Sequence, residues 1–129
     1  MQDNQLFEYA VIRVVPAVER EEFLNVGVVL FCAKQKFLKM KYMLDEARIR
    51  NFSSKLDINE IKTYLESFER ICEGNADSGP IGTLPMAERF RWLTATRSTI
   101  VQTSKVHPGL SADPNAMLEK LFSEMVLQD

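Results

Sequence analysis

The segment Phe23 to Ala33, FLNVGVVLFCA, constrains this chain more than any other. From Val26 onward it is unbroken apolar residue, rich in β-branched types and far short of the roughly 18 residues that cross a bilayer. A strand of this composition is apolar on both sides, so it must be central in a sheet and covered on both faces. Two further segments pair with it. Phe7 to Val15, FEYAVIRVV, is likewise mainly apolar on both parities, and Pro16 ends it because proline has no N–H for the ladder. Lys36 to Leu44, KFLKMKYML, sets Leu38, Met40, Tyr42 and Leu44 against Lys39 and Lys41, the alternation of a half-exposed strand. The link from Ala33 to Lys36 is so short that the second and third strands form an antiparallel hairpin. Lys34, Lys36, Lys39 and Lys41 make a basic stripe there, and lysine on an open strand face opposes edge-to-edge aggregation.

Helical periodicity replaces alternation after Asp45. Ile58, Ile61, Leu65, Phe68 and Cys72 recur at spacings of 3 and 4, one stripe of a helix with Asp57 as N-cap, Glu60 three residues on and Gly74 as its stop. Residues 74–85, GNADSGPIGTLP, read as an aperiodic loop. Pro85 opens a helix to about Leu93, Thr99 to Val106 reads as a fourth strand closed by His107-Pro-Gly, and Asp113-Pro114 starts a last helix whose apolar stripe is Leu118, Leu121, Phe122 and Met125. The order β-β-β-α-α-β-α, with strands and helices segregated, predicts an α+β fold. Its antiparallel sheet of about four strands packs against helices on one face and leaves the other for a partner. With 129 residues, one domain spanning residues 1–129 is expected.

Composition narrows the function classes. A net charge of −2 and a pI near 5.5 argue against broad nucleic-acid binding. The opening residues lack a basic segment followed by an apolar one, so secretion is not expected. Cys32 and Cys72 have no CxxC partner and read as two free, buried thiols of a cytoplasmic protein. No cofactor motif is present, and one histidine with two distant cysteines has no metal-ligand spacing. His107 could act as a base beside Ser98 or Ser104, although a histidine next to Pro-Gly is ordinarily a turn residue.

Two places carry candidate chemistry. Arg13 interrupts an apolar strand, and a buried guanidinium needs an anionic partner. Glu19, Glu21 and Glu22 supply one if the role is structural; otherwise Arg13 is the floor of an anion pocket, with Glu22 and Asn25 in support. Asn25 and Gly27 share a parity of the second strand. The second place is Gly79 to Ser98, where a glycine-rich loop runs into a helix N-terminus and Arg89, Arg91 and Arg97 follow, beside Ser98 and Thr99. Arg89 and Arg91 are two apart and cannot share a helix face. Trp92, between Phe90 and Leu93, could stack a base but suits a core. The anion-binding set is therefore Arg13, Arg89, Arg97 and Ser98, with Glu22, Asn25 and Trp92 supporting; no residue is singled out as catalytic.

The runs Tyr9 to Phe31 (YAVIRVVPAVEREEFLNVGVVLF) and Arg89 to Gly109 (RFRWLTATRSTIVQTSKVHPG), with Asp113-Pro114 and Leu121-Phe122, resemble a bacterial family catalogued as domain-of-unknown-function family 3037. The resemblance spans nearly the whole chain and singles out Arg13, Pro16, Glu22, Asn25, Gly27, Arg89, Trp92, Arg97 and Ser98. It implies an interaction or regulatory protein of unknown activity, since members often occur beside HipA-like serine/threonine kinases. Such a kinase is the partner the resemblance implies; apart from it, a second copy of the chain is a further expected partner, and the alternative reading of the residues is a small enzyme or ligand-binding domain acting on a phosphate-bearing compound through an arginine-lined pocket.

Overall fold

The computed structural model describes residues 3–17 and 21–127. Three strands come first, β1 (Gln5–Val14), β2 (Leu24–Cys32) and β3 (Phe37–Tyr42). The antiparallel β2–β3 hairpin forms as expected, with Val29 opposite Met40 and Cys32 opposite Phe37. Between β1 and β2 the run Glu19-Arg-Glu-Glu22 reads as a short helical or turn connection, and its first two residues lie outside the described residues.

The sheet has five strands instead of about four. β4 (Val101–Thr103) and β5 (His107–Ser111) lie end to end along the free side of β1, giving the order β3-β2-β1-β4 with β5 also on β1. His107-Pro-Gly therefore continues the sheet where the residues read as its end. Two features permit this. Ser104 bulges out of the ladder, donating its N–H to the Val11 carbonyl and accepting the Val11 N–H on its own hydroxyl at 2.8 Å, so no β1 group is orphaned at the break. The alternation set by that bond turns the N–H groups of His107 and Gly109 toward β1 and leaves Pro108, which has none, on the open edge.

The helices are α1 (Glu46–Phe52), α2 (Ile58–Glu73), the one-turn α3 (Gly79–Gly82), α4 (Met86–Leu93) and α5 (Pro114–Phe122), the last extended by a π-helical turn over Ser123–Leu127. Helix α2 is the one most plainly encoded: Asp57 Oδ1 accepts from the N–H groups of Asn59 and Glu60, and Gly74 adopts φ +69° beyond its end. The stretch read as an aperiodic loop folds into a 3-10 turn over Ala76–Ser78 followed by α3.

One face of the sheet buries Ala10, Ile12, Val14, Val29 and Phe31 against Ile49 of α1, Ile61, Leu65 and Phe68 of α2, and Phe90 and Leu93 of α4. The other face is not left for a partner. It buries Phe7, Val28, Leu30 and Cys32 under Leu118, Leu121 and Phe122 of α5 and Val126 of the π turn. Lys41 of β3 secures that helix, pairing with Glu119 and lying 5.0 Å from the centroid of the Phe122 ring.

A bulge in β2 decides which side chains share a face. Gly27 stands opposite Ile12 but Asn25 stands opposite Arg13, so Val26 is the extra residue. Asn25 and Gly27 consequently project to opposite faces, contrary to their shared parity. Gly27 leaves no room for a side chain against β3: a Cβ there would lie 2.7 Å from the Lys41 carbonyl oxygen and 2.8 Å from Tyr42 Cβ.

Both cysteines are free and buried, Cys32 under α5 and Cys72 in the opposite core. Burial pushes the Cys72 thiol up to about 12 from an ordinary value of 9.0, against a smaller opposing pull from Arg89. The unfolded thiol ionises first as pH rises, so this group's contribution is intact below about pH 9 and is lost progressively toward pH 12. Stability measured by urea denaturation at several alkaline pH values should fall up to about 1.4 kcal/mol per pH unit faster in the wild type than in Cys72→Ala. Equal slopes would exclude a shift of this size.

Candidate functional site

The arginines are not gathered into one concavity. Arg89 is buried beneath the C-terminus of α2. Its Nη1 donates to the carbonyls of Ile71 and Cys72, each at 2.8 Å, and its Nε donates to that of Leu84 at 3.0 Å. These are the carbonyls that a helix end and the following loop leave unpaired, at the end of the helix where a cation is favoured. A Cβ on Gly74 would sit 2.8 Å from Nη1, so the glycine that lets α2 end also makes room for the guanidinium. Arg89 is thus a cap for α2, and its fork is directed into the protein.

Arg97 is occupied in a comparable way. It donates to the Trp92 carbonyl, and its guanidinium lies 4.6 Å from the Trp92 ring centroid and 5.1 Å from that of Phe68. Trp92 packs edge-on to Phe68 at the margin of the core, as its apolar neighbours suggest. Burial lowers the Arg97 pKa, with Tyr64 acting in the opposite direction. Ser98 is exposed on the loop before β4, and Arg91 points to solvent from α4. The glycine-rich stretch does not aim a helix N-terminus at these side chains, because Arg89 has turned toward the opposite end of a different helix.

His107 is exposed in β5, its ring 5.3 Å from that of Tyr9. The Ser104 hydroxyl accepts from Val11 N–H and donates to the Lys105 carbonyl, so it is engaged in the bulge and not with His107. Among the described residues no group of three His, Cys, Asp or Glu side chains could hold a metal ion.

Arg13 is different. Alternation along β1 sends Ile12 and Val14 into the α2 core and Arg13 to the face that carries α5. There it stands between Asn25 of β2 and Gln102 of β4, three polar residues at one level of three adjacent strands. The Asn25 side-chain amide donates to the Met125 carbonyl in the π turn at 3.1 Å, while its Oδ1 is buried and has no hydrogen-bond partner among the described residues. The Nε of Arg13 is in the same condition. Its guanidinium carbon lies over the ring of Phe23, 3.9 Å from the centroid, and Phe23 itself is 44% exposed. Burial lowers the Arg13 pKa, yet an arginine stays charged in a folded protein.

Around this pair opens a cleft of about 350 Å³ lined by Arg13, Val15, Glu21, Glu22, Phe23 and Gln102. Glu19, the third acid considered for Arg13, lies outside the described residues. Of the residues singled out in the sequence, the cleft brings together Arg13, Glu21 and Glu22, with Asn25 beside them in register. Phe23 and Gln102 were missed. Gln102 had a signal, as the polar residue between Val101 and Thr103. Phe23 had none, because only the β2 bulge brings the start of that strand into reach of Arg13.

The sequence matches the protein-family model described as "Protein of unknown function (DUF3037)" over residues 9–126, nearly the whole chain. The chain belongs to this family. No curated protein and no solved structure matches it. The Arg13 cleft, the Arg89 cap and α5 all lie within the part shared with DUF3037.

Proposed function

We propose that this DUF3037 chain is an interaction module that docks a segment of a protein partner in the Arg13 cleft. The observation that carries the reading is the exposed Phe23 ring stacked on a partly desolvated Arg13. Aromatic and arginine side chains side by side are the residue types on which protein interfaces concentrate their binding energy. The remaining polar walls favour a peptide over a bare phosphate. Glu21 and Glu22 place negative charge beside Arg13 and oppose an isolated anion, whereas a segment that brings an acceptor for Arg13 together with a donor for Glu21 meets both. An arginine-lined pocket for a phosphate-bearing compound has less support, since Arg89 and Arg97 are engaged elsewhere. The family's association with HipA-like serine/threonine kinases makes such a kinase the partner to test, in the cytoplasm of a bacterium.

The test is co-purification and calorimetric titration with a HipA-like kinase from the same organism. Arg13→Ala and Phe23→Ala should each weaken the complex about 30-fold or more, a cost of about 2 kcal/mol, and leave the circular dichroism spectrum unchanged. A thermal-shift series with inorganic phosphate and phosphate esters is the second arm. A saturating ligand at 100 times its dissociation constant adds about 2.7 kcal/mol, so stabilisation by these compounds without kinase binding would favour the small-ligand reading.

A further inference from the structure

On its α2 side, the sheet has one end that no helix covers among the described residues. Leu6 of β1 and Leu110 of β5 are cross-strand partners and are 57% and 64% exposed, the two most exposed large apolar side chains among the described residues. Alternation places them on the α2 side of the sheet, in line with Ala10 and Ile12, beyond the reach of α4. Beside Leu6 a cleft of about 480 Å³ runs along the same face, with Phe31 in its floor and Asp3, Glu8 and Lys34 among its walls.

We propose that this end of the sheet is where two copies of the chain meet face to face about a two-fold axis. Addition of a strand is disfavoured at this edge, because Pro108 turns its missing N–H outward. Contact must therefore come through side chains. The charges next to the leucines select the occupant. Asp3 and Glu8 supply negative charge and Lys34 positive charge in one small patch, which is self-complementary. A two-fold rotation near Leu6 and Leu110 sets Lys34 of each copy against the acids of the other while the leucines bury one another, as an isologous interface requires. A partner of one charge sign would leave half of the patch unmatched. This surface lies on the opposite face of the sheet from the Arg13 cleft, so the dimer stands or falls independently of the docking proposal.

Sedimentation velocity from micromolar to submillimolar concentration tests it. The wild type should approach twice the 14.8 kDa chain mass. The Leu6→Glu/Leu110→Glu double variant should raise the dissociation constant roughly 100-fold or more, with unchanged circular dichroism because both side chains are exposed. Glu8→Lys and Lys34→Glu should each weaken the dimer, and the double reversal should restore it. A wild type that stays monomeric overturns the proposal. So does a dimer indifferent to the leucine substitutions, or a double charge reversal that fails to restore association.

Discussion

Replacing Arg89 by alanine should cost about 3–5 kcal/mol of folding stability, among the largest effects available to a single charged residue here. The cost has an identifiable origin. Arg89 is 8% exposed, and its donors engage the carbonyls of Ile71, Cys72 and Leu84. Truncation removes hydrogen bonds to a charged donor, worth about 1.5–3 kcal/mol each, and leaves the acceptors either unpaired or exposed to entering water. Arg89→Lys should recover less than half, since a single ammonium cannot reproduce a guanidinium fork spanning the α2 terminus and the loop before α4. Arg91→Ala, two positions away on the exposed side of α4, should stay within about 0.5 kcal/mol. Urea denaturation of the three variants checks this. If Arg89→Ala were as stable as the wild type, the cap assignment would be wrong.

Phe122→Ala should cost about 3–5 kcal/mol as well, lowering the melting temperature by roughly 10–20 °C in a domain of this size. The ring is 5% exposed in the core between α5 and the sheet, beside Val28, Leu30 and Cys32. Few groups stand ready to refill the space, because the β2 side chains are held by the ladder on both sides and packed interiors relax only partly. Lys41 also loses the aromatic face over which it lies. Thermal unfolding by differential scanning calorimetry measures the effect. A shift of a few degrees or less would mean that α5 is only lightly attached and that the second face of β2 tolerates exposure. Since β2 is apolar on both sides, weakening α5 should also raise the tendency to aggregate.

These two residues show which information is local. The stripe of α2, with Asp57 before it and Gly74 after it, is a property of consecutive residues, and it formed where the spacings placed it. Asp113-Pro114 opened α5 for the same reason. Arg89 belonged to an equally visible cluster, Arg89, Arg91 and Arg97, and composition suggested an anion. The acceptors it found were main-chain carbonyls, which every sequence contains and no sequence advertises. The strand formed by His107 to Ser111 was hidden likewise: Pro-Gly ordinarily breaks a ladder, and it survives here only because Pro108 faces the open edge and Ser104 absorbs the break.

For the candidate site, alternation along β1 already set Arg13 apart from Ile12 and Val14. What stands beside it depended on one extra residue in β2. Without the bulge at Val26, Asn25 would share a face with Gly27, and the polar level formed by Arg13, Asn25 and Gln102 would not exist. Phe23 joins from the start of that strand, a position that reads from sequence only as its first apolar residue.

By itself the sequence determined that a doubly apolar strand must be central and covered twice, and that an antiparallel hairpin and capped helices surround it. Periodicity and capping act over a few residues, so a linear chain displays them. Tertiary structure alone decided that α5 supplies the second cover, that Arg89 and Arg97 are engaged within the protein, and that Arg13 lies against Phe23. Those outcomes depend on contacts between distant residues and on strand register, where a single bulge reverses which side chains meet.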